Sequence, residues 1–148
     1  MAAESWGLAD AESTKKELTE EELYQAFTFF QESVDDRAAM EHIFETEEVT
    51  HVCHLAARAG VRPSLEAPEE YIKANVEGTA ILMQLAAKKD VKNFVYASSS
   101  SVYGERASIE DRANSGEEFL DPFKETDPAD SQISPYAATK RMMELLAN

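Results

Sequence analysis

The 148 residues are enough for one domain with a core of its own, and 29 acidic against 14 basic side chains leave a net charge of −15. That charge argues against nucleic acid or an anionic membrane as partner, because both are bound through basic surface. A single cysteine, Cys53, excludes an internal disulfide, and no apolar run approaches the roughly 20 residues that a membrane helix needs.

Met1 to Trp6 lack the basic start and apolar run of a signal peptide, so a soluble protein of the reducing cytoplasm is expected. Residues 1–26 are polar and acidic and read as a segment apart from residues 27–148. Within them Thr19 suits the N-cap of a short helix to Ala26, with Glu20 to Glu22 in the first turn, where the helix dipole favours acids. The other acidic runs read as solvated faces. Phe27-Thr28-Phe29-Phe30 is apolar and aromatic enough for a strand, and Ala39, Met40, Ile43 and Phe44 predict a helix over Asp36 to Glu45.

Thr50 to Ala57 reads as a second strand, whose continuous apolar end Leu55-Ala56-Ala57 predicts burial on both faces. His51 and His54 stand three apart on it and point to opposite faces, so they cannot chelate one ion, and no metal is expected. Cys53 reads as a small buried residue. Arg58 to Ala67 is predicted to be a loop. Pro68 then starts a long helix that ends near Lys88 to Asp90, with Tyr71, Ile72, Val76, Ile81 and Leu85 along one side. Asn93 to Ala97 is a further strand, running into Ser98-Ser99-Ser100-Ser101, and Glu105 to Gln132 is a long polar loop.

The alternation of strand and helix predicts an α/β fold with a parallel sheet, in which ligands bind beyond the carboxyl ends of strands. Two such ends stand out. Small residues at Leu55 to Gly60 allow a cofactor close to the backbone; the serine run after Tyr96 is either a strand-end site or a flexible linker. In the last helix Ser134 suits the N-cap and Pro135 the first helical position, so Tyr136 and Lys140, four apart, share a face. An ammonium held close to a phenol favours the phenolate and makes it a usable base near neutral pH. Two partly exposed residues sharing a face by chance would have the same spacing.

Four motifs occur in order: His54-Leu55-Ala56-Ala57-Arg58-Ala59-Gly60-Val61-Arg62-Pro63-Ser64, Tyr71-x-x-x-Asn75-Val76-x-Gly78-Thr79, Ala97-Ser98-Ser99-Ser100-Ser101-Val102-Tyr103-Gly104, and Ser134-Pro135-Tyr136-Ala137-Ala138-Thr139-Lys140. Together they resemble the extended short-chain dehydrogenase/reductase superfamily, most closely its NAD-dependent UDP-glucuronate 4-epimerases, from about Phe27 to the last residue. The resemblance implies a catalytic Tyr136, Lys140 and Ser99. Tyr136 would be the base, Lys140 would lower its pKa and bond the nicotinamide ribose, and Ser99 would polarise the sugar O4. It implies NAD against Leu55, Ala56, Ala57, Tyr136 and Lys140, and a UDP-sugar against Ser99, Ser100, Ser101 and Arg62. The implied reaction passes through a 4-keto sugar, and the intact family member is expected to be a homodimer. Sugar-nucleotide 4,6-dehydratases carry Asp-Glu at the place of Ser100-Ser101, and UDP-glucuronate decarboxylases carry Glu at that of Ser101. Hydroxyls there suit a substrate carboxylate held without decarboxylation.

The departures matter as much. The family's Gly-x-x-Gly-x-x-Gly turn, which brings a helix N-terminus to the pyrophosphate, has no counterpart among glycines 7, 60, 78, 104 and 116. Ser33 stands where the family has an adenine-contacting Asp, with Asp35 and Asp36 nearby. The expected fold is therefore a partial Rossmann-like, doubly wound parallel sheet lacking the first two strands and the C-terminal substrate domain. The Thr50 strand is left with an open edge, unless the Phe27 strand moves in beside it. Either an epimerase inactive in this form or a non-catalytic remnant serving as a binding or regulatory module is expected.

Overall fold

The computed structural model describes residues 19–104 and 122–148, so most of the expected polar loop lies outside the described residues. The chain divides after Gln31 into two units. In the first, α1 (Glu20–Gln25) is the short acidic helix expected from Thr19 onward. Phe27 to Phe30 form no strand, contrary to expectation, and Phe27 and Phe29 are exposed. β-propensity expresses fit to a neighbouring pleated surface rather than a backbone preference, so an aromatic run without a pairing partner stays irregular.

The second unit opens with α2 (Arg37–Thr46), capped by the Asp36 carboxylate, which accepts from the Ala39 N–H at 3.1 Å. Strand β1 (His51–His54) pairs in parallel with β2 (Asn93–Tyr96), His51 opposite Asn93 and His54 opposite Tyr96. Among the described residues these two strands are the whole sheet. Between them lie α3 (Val61–Glu66) and a helix over Pro68 to Lys88, made of α4 (Pro68–Tyr71), a π-helical segment (Ile72–Glu77) and α5 (Gly78–Lys88). A 3₁₀ turn (Ser100–Tyr103) follows β2, and α6 (Pro135–Leu146) closes the chain.

Where a loop was expected, α3 forms because Pro63 falls in its first turn, where no intrahelical N–H is required. The long helix ends with Asp90 in the left-handed region at φ 51°, which lets the Val91 N–H reach back to the Ala86 carbonyl at 3.0 Å and turns the chain into β2. The core lies between α2, α5 and one face of the sheet. Met40 and Phe44 pack on Ile81, Leu82, Leu85 and Ala86, with Val52 and Phe94 from the strands against them. Each large side chain buried there contributes on the order of 1.5–3 kcal/mol. The opposite sheet face, bearing Cys53 and Val95, is exposed, so Cys53 is not the buried residue its strand position suggested.

On the far side of the long helix, α6 packs against α3, α4, the π segment and the 3₁₀ turn. Gly104 ends that turn at φ 76° and ψ −157°, a region only glycine occupies comfortably, and an added Cβ would lie 2.1 Å from the Ser131 carbonyl oxygen. Gly104→Ala is expected to lower the unfolding free energy by about 3 kcal/mol, read from denaturant titration; a loss below about 0.5 kcal/mol would show that this junction yields freely.

Candidate functional site

The helix carrying Tyr136 and Lys140 begins as its sequence dictates. The Ser134 hydroxyl accepts from the Ala137 N–H at 3.1 Å, and Pro135 occupies the first turn. Lys140 is only 3 % exposed, and its ammonium donates to the Ala97 carbonyl at 2.7 Å, at the C-terminal end of β2. A lysine so buried needs such a partner, and burial lowers its pKa below the ordinary 10.5. Tyr136 is half-buried on the same helical face. Its ring meets the Tyr71 ring edge-on at 6.3 Å, and the Tyr71 hydroxyl donates to the Ala59 carbonyl at 2.8 Å. A second pair joins the same two elements: the Ser98 hydroxyl donates to Glu144 at 2.6 Å, one turn beyond Lys140.

Beneath this face lies a fully buried polar cluster. The Asn75 side chain accepts from the Arg58 N–H at 2.7 Å and donates to the Arg58 carbonyl and to the Thr139 hydroxyl, each at 3.0 Å. The Thr139 hydroxyl donates in turn to the Tyr136 carbonyl at 2.8 Å. His54, at the end of β1, bonds the Thr79 hydroxyl at 2.9 Å, and that hydroxyl donates to the Asn75 carbonyl. The site thus joins the turn after β1 to the helix of the candidate base. Asn75 already stood in a recognisable motif four residues after Tyr71, and a polar residue on the apolar side of a long helix was its signal. Thr79, Thr139 and Ala97 also stood in the motifs, but nothing in the spacing showed that Thr79 would meet His54, Thr139 would meet Asn75, or the Ala97 carbonyl would meet Lys140.

At the serine end, the Ser99 hydroxyl accepts from the Ser101 N–H at 3.2 Å and caps the 3₁₀ turn. Accepting there leaves its own proton to be directed elsewhere. Ser100 and Ser101 line a cavity of about 200 Å³ with Val61, Phe123, Ile133 and Ser134. A larger cavity of about 610 Å³, between the end of α5, β2 and Leu146, contains none of the expected site residues.

The cofactor-side residues are placed differently from their prediction. β1 stops at His54, so Leu55 (68 % exposed) and Ala56 lie open beyond the strand end and only Ala57 is half-buried. A strand with a neighbour on one side alone has no second strand to continue its ladder or cover its end. Arg62 is exposed on α3, next to the cavity-lining Val61. Ile72 is likewise exposed rather than on the buried side, while Asn75 is buried in its stead. A π-helical stretch winds more slowly than an α-helix and so shifts which residues face inward. Ser33, at the expected adenine position, is hydrogen-bonded to the Asp35 carboxylate, which also pairs with Lys73 at 3.3 Å.

Burial lowers the pKa of His54 from 6.5, with the nearby Lys140 charge acting in the same direction. For both His54 and Lys140 the unfolded chain therefore binds protons more readily than the folded one. Stability should rise with pH as His54 leaves its depressed range toward 6.5, and again as Lys140 does so toward 10.5. Denaturant midpoints followed from about pH 5 to 7 should climb, and His54→Gln should flatten that limb. A midpoint that falls over the same interval would contradict the placement of His54.

The chain matches the NAD dependent epimerase/dehydratase family over residues 2–148. It is 40 % identical over 130 residues to a UDP-glucuronate 4-epimerase of Thermodesulfobacterium geofontis, covering 88 % of this chain and 36 % of that protein. To UDP-glucuronate 4-epimerase 3 of Arabidopsis thaliana it is 37 % identical over 116 residues, 78 % of this chain and 24 % of the other. It superposes on the UDP-glucose 4-epimerase of Thermotoga maritima, solved with UDP-glucose, with a TM-score of 0.70 and 29 % identity over 90 % of this chain and 40 % of that one. The Thermus thermophilus enzyme, solved with NAD, gives a TM-score of 0.70 and 28 % identity over 90 % and 39 %. The chain thus spans about a third of the length of its relatives and carries part of their Rossmann-like sheet. With the family matched along nearly its whole length, and the Tyr136–Lys140 face set at the end of a parallel strand, this chain belongs to the NAD-dependent epimerase/dehydratase family.

Proposed function

We propose that residues 27–148 form the sugar-side half of a UDP-sugar 4-epimerase active site, of the UDP-glucuronate/UDP-galacturonate type, with residues 1–26 outside it. The observation that carries this reading is Lys140, buried on the helical face of Tyr136 with its ammonium on the Ala97 carbonyl, directly before the serine run. Tyr136 takes the proton of the sugar O4, with Lys140 on the same helical face. Ser99, whose oxygen is occupied by the Ser101 N–H, turns its hydroxyl proton toward O4. Ser100 and Ser101 bond the substituent at sugar C5, and Arg62 supplies positive charge to an anionic substrate.

The residues present suit the nicotinamide end of NAD: small side chains at the open Ala56 and the half-buried Ala57, and a buried lysine on the helical face of Tyr136. NAD bound there would supply a reversible hydride acceptor for the sugar C4. Leu55, Ala56 and Ala57 are then its apolar wall. The intact enzyme is proposed to be a homodimer. No described helix is long and apolar enough to cross a membrane, and the acidic charge and single cysteine support a cytoplasmic site.

The test is conversion of UDP-glucuronate to UDP-galacturonate, followed by proton NMR, in a protein where these residues follow a Gly-rich phosphate-binding turn and precede a substrate domain. Absence of conversion with NAD bound would sink the reading. Ser101→Glu in that protein should weaken UDP-glucuronate binding about tenfold by facing the substrate carboxylate with another, while leaving UDP-glucose binding nearly unchanged. Equal effects on both sugars would remove Ser101 from C5. A second reading, a non-catalytic binding or regulatory module, is favoured by one fact: these 148 residues contain no Gly-x-x-Gly-x-x-Gly.

A further inference from the structure

We propose that His54 is a positioning residue, setting the turn after β1 against the Tyr136 helix through Thr79 and Asn75. The inference rests on the epimerase reading for its purpose, but its geometry stands apart from that reading. His54 and Thr139 are 3 % and 2 % exposed, and Asn75 and Thr79 are wholly buried. Polar groups so placed must satisfy one another, because water cannot.

The direction of each bond follows from the donors available. The Thr79 hydroxyl has one proton and gives it to the Asn75 carbonyl, so its oxygen can only accept from His54. His54 therefore carries a proton on Nε2, and burial, which lowers its pKa, favours the neutral ring with Nδ1 bare. The Asn75 carbonyl it supports through Thr79 lies in the π-helical segment, whose looser winding sets the azimuth of the Asn75 side chain. That side chain holds both backbone groups of Arg58 and the Thr139 hydroxyl, and Thr139 holds the Tyr136 carbonyl. One chain of bonds thus runs from the end of β1 to the backbone of the candidate base. It also fixes the turn containing Ala56 and Ala57, where the cofactor is proposed to lie. Removing the His54 donor leaves a Thr79 lone pair unsatisfied in a dry site, so the Thr79 side chain shifts to regain a donor and its bond to the Asn75 carbonyl loosens.

The 148-residue chain itself serves for the test. Its imidazole ¹⁵N spectrum should show His54 as the Nε2–H tautomer. Hydrogen exchange then reads the relay: in His54→Leu the Arg58 amide, held by Asn75, should lose protection about tenfold or more relative to the Leu85 amide in the core. His54→Gln, which places an amide N–H near the Nε2 position, should restore it. An Nδ1–H tautomer would overturn the proposal. So would a loss shared equally by Leu85, which would make His54 a core residue only, or a Gln variant no better protected than the Leu variant. Each of these outcomes leaves the epimerase reading standing, because that reading is decided by sugar conversion.

Discussion

Tyr136→Phe, in a protein carrying the phosphate-binding turn and substrate domain alongside these residues, is expected to lower epimerisation about 10³- to 10⁴-fold while NAD stays bound. The substitution removes one oxygen and little else. The ring keeps its edge-on contact with Tyr71, Lys140 keeps the Ala97 carbonyl, and the Thr139 bond goes to the Tyr136 backbone, which phenylalanine also has. What disappears is the group proposed to exchange a proton with O4. Ser99→Ala should cost less, on the order of 10²-fold, because it removes the proposed hydrogen bond to O4 rather than the proposed base. Part of that loss would come through the 3₁₀ turn, which Ser99 caps. Single-turnover rates and the NAD content of the purified variants separate the two effects. A Tyr136→Phe protein turning over within tenfold of the parent would take the base away from Tyr136.

What could be read in advance follows a physical division. Helices were legible because their periodicity and caps are local: Asp36, Pro68, Ser134 and Pro135 each mark a boundary through bonds made within one turn. The Tyr136–Lys140 face was legible for the same reason, since a spacing of four decides it. Strands were less so. Phe27 to Phe30 and Leu55 to Ala57 have strand composition, yet a strand exists only where a neighbour pairs with it, and that neighbour is remote in sequence. The exposure of Cys53 has the same origin, for whether a sheet face is covered depends on distant elements.

The buried cluster was legible only in pieces. Asn75, Thr79 and Thr139 were visible as motif residues, and His54 as a motif residue inside a strand expected to run on to Ala57. Their union depends on the π-helical segment, which no apolar period announces, and on α6 returning 64 residues later to bring Thr139 to Asn75. α3 went unread because Gly60 and Pro63 suggest a break, although a proline in a first turn is compatible with a helix. Chemistry that lies on one helix can be read from spacing. Chemistry assembled by the fold needs the fold.

The 148-residue chain alone is expected to bind NAD with a Kd weaker than about 1 mM, against micromolar binding in a protein that supplies the missing turn. The two phosphates carry most of the cofactor's charge, and this fold holds them with backbone N–H groups at a helix N-terminus reached through closely spaced glycines. The nearest helix start after β1 is α3, behind Gly60; its first turn contains Pro63, which has no N–H to offer, and no second glycine lies within the turn. The net charge of −15 further disfavours an anionic ligand that has no local cradle. What remains is the Lys140 ammonium, already bonded to Ala97, and the apolar Leu55 to Ala57, which on the proposed reading would together address only the nicotinamide end. Isothermal titration at low salt decides it, with adenosine diphosphate as a second ligand that lacks the nicotinamide. Low-micromolar NAD binding would show that another part of these 148 residues holds the pyrophosphate; adenosine diphosphate binding equally well would place that cradle away from Tyr136.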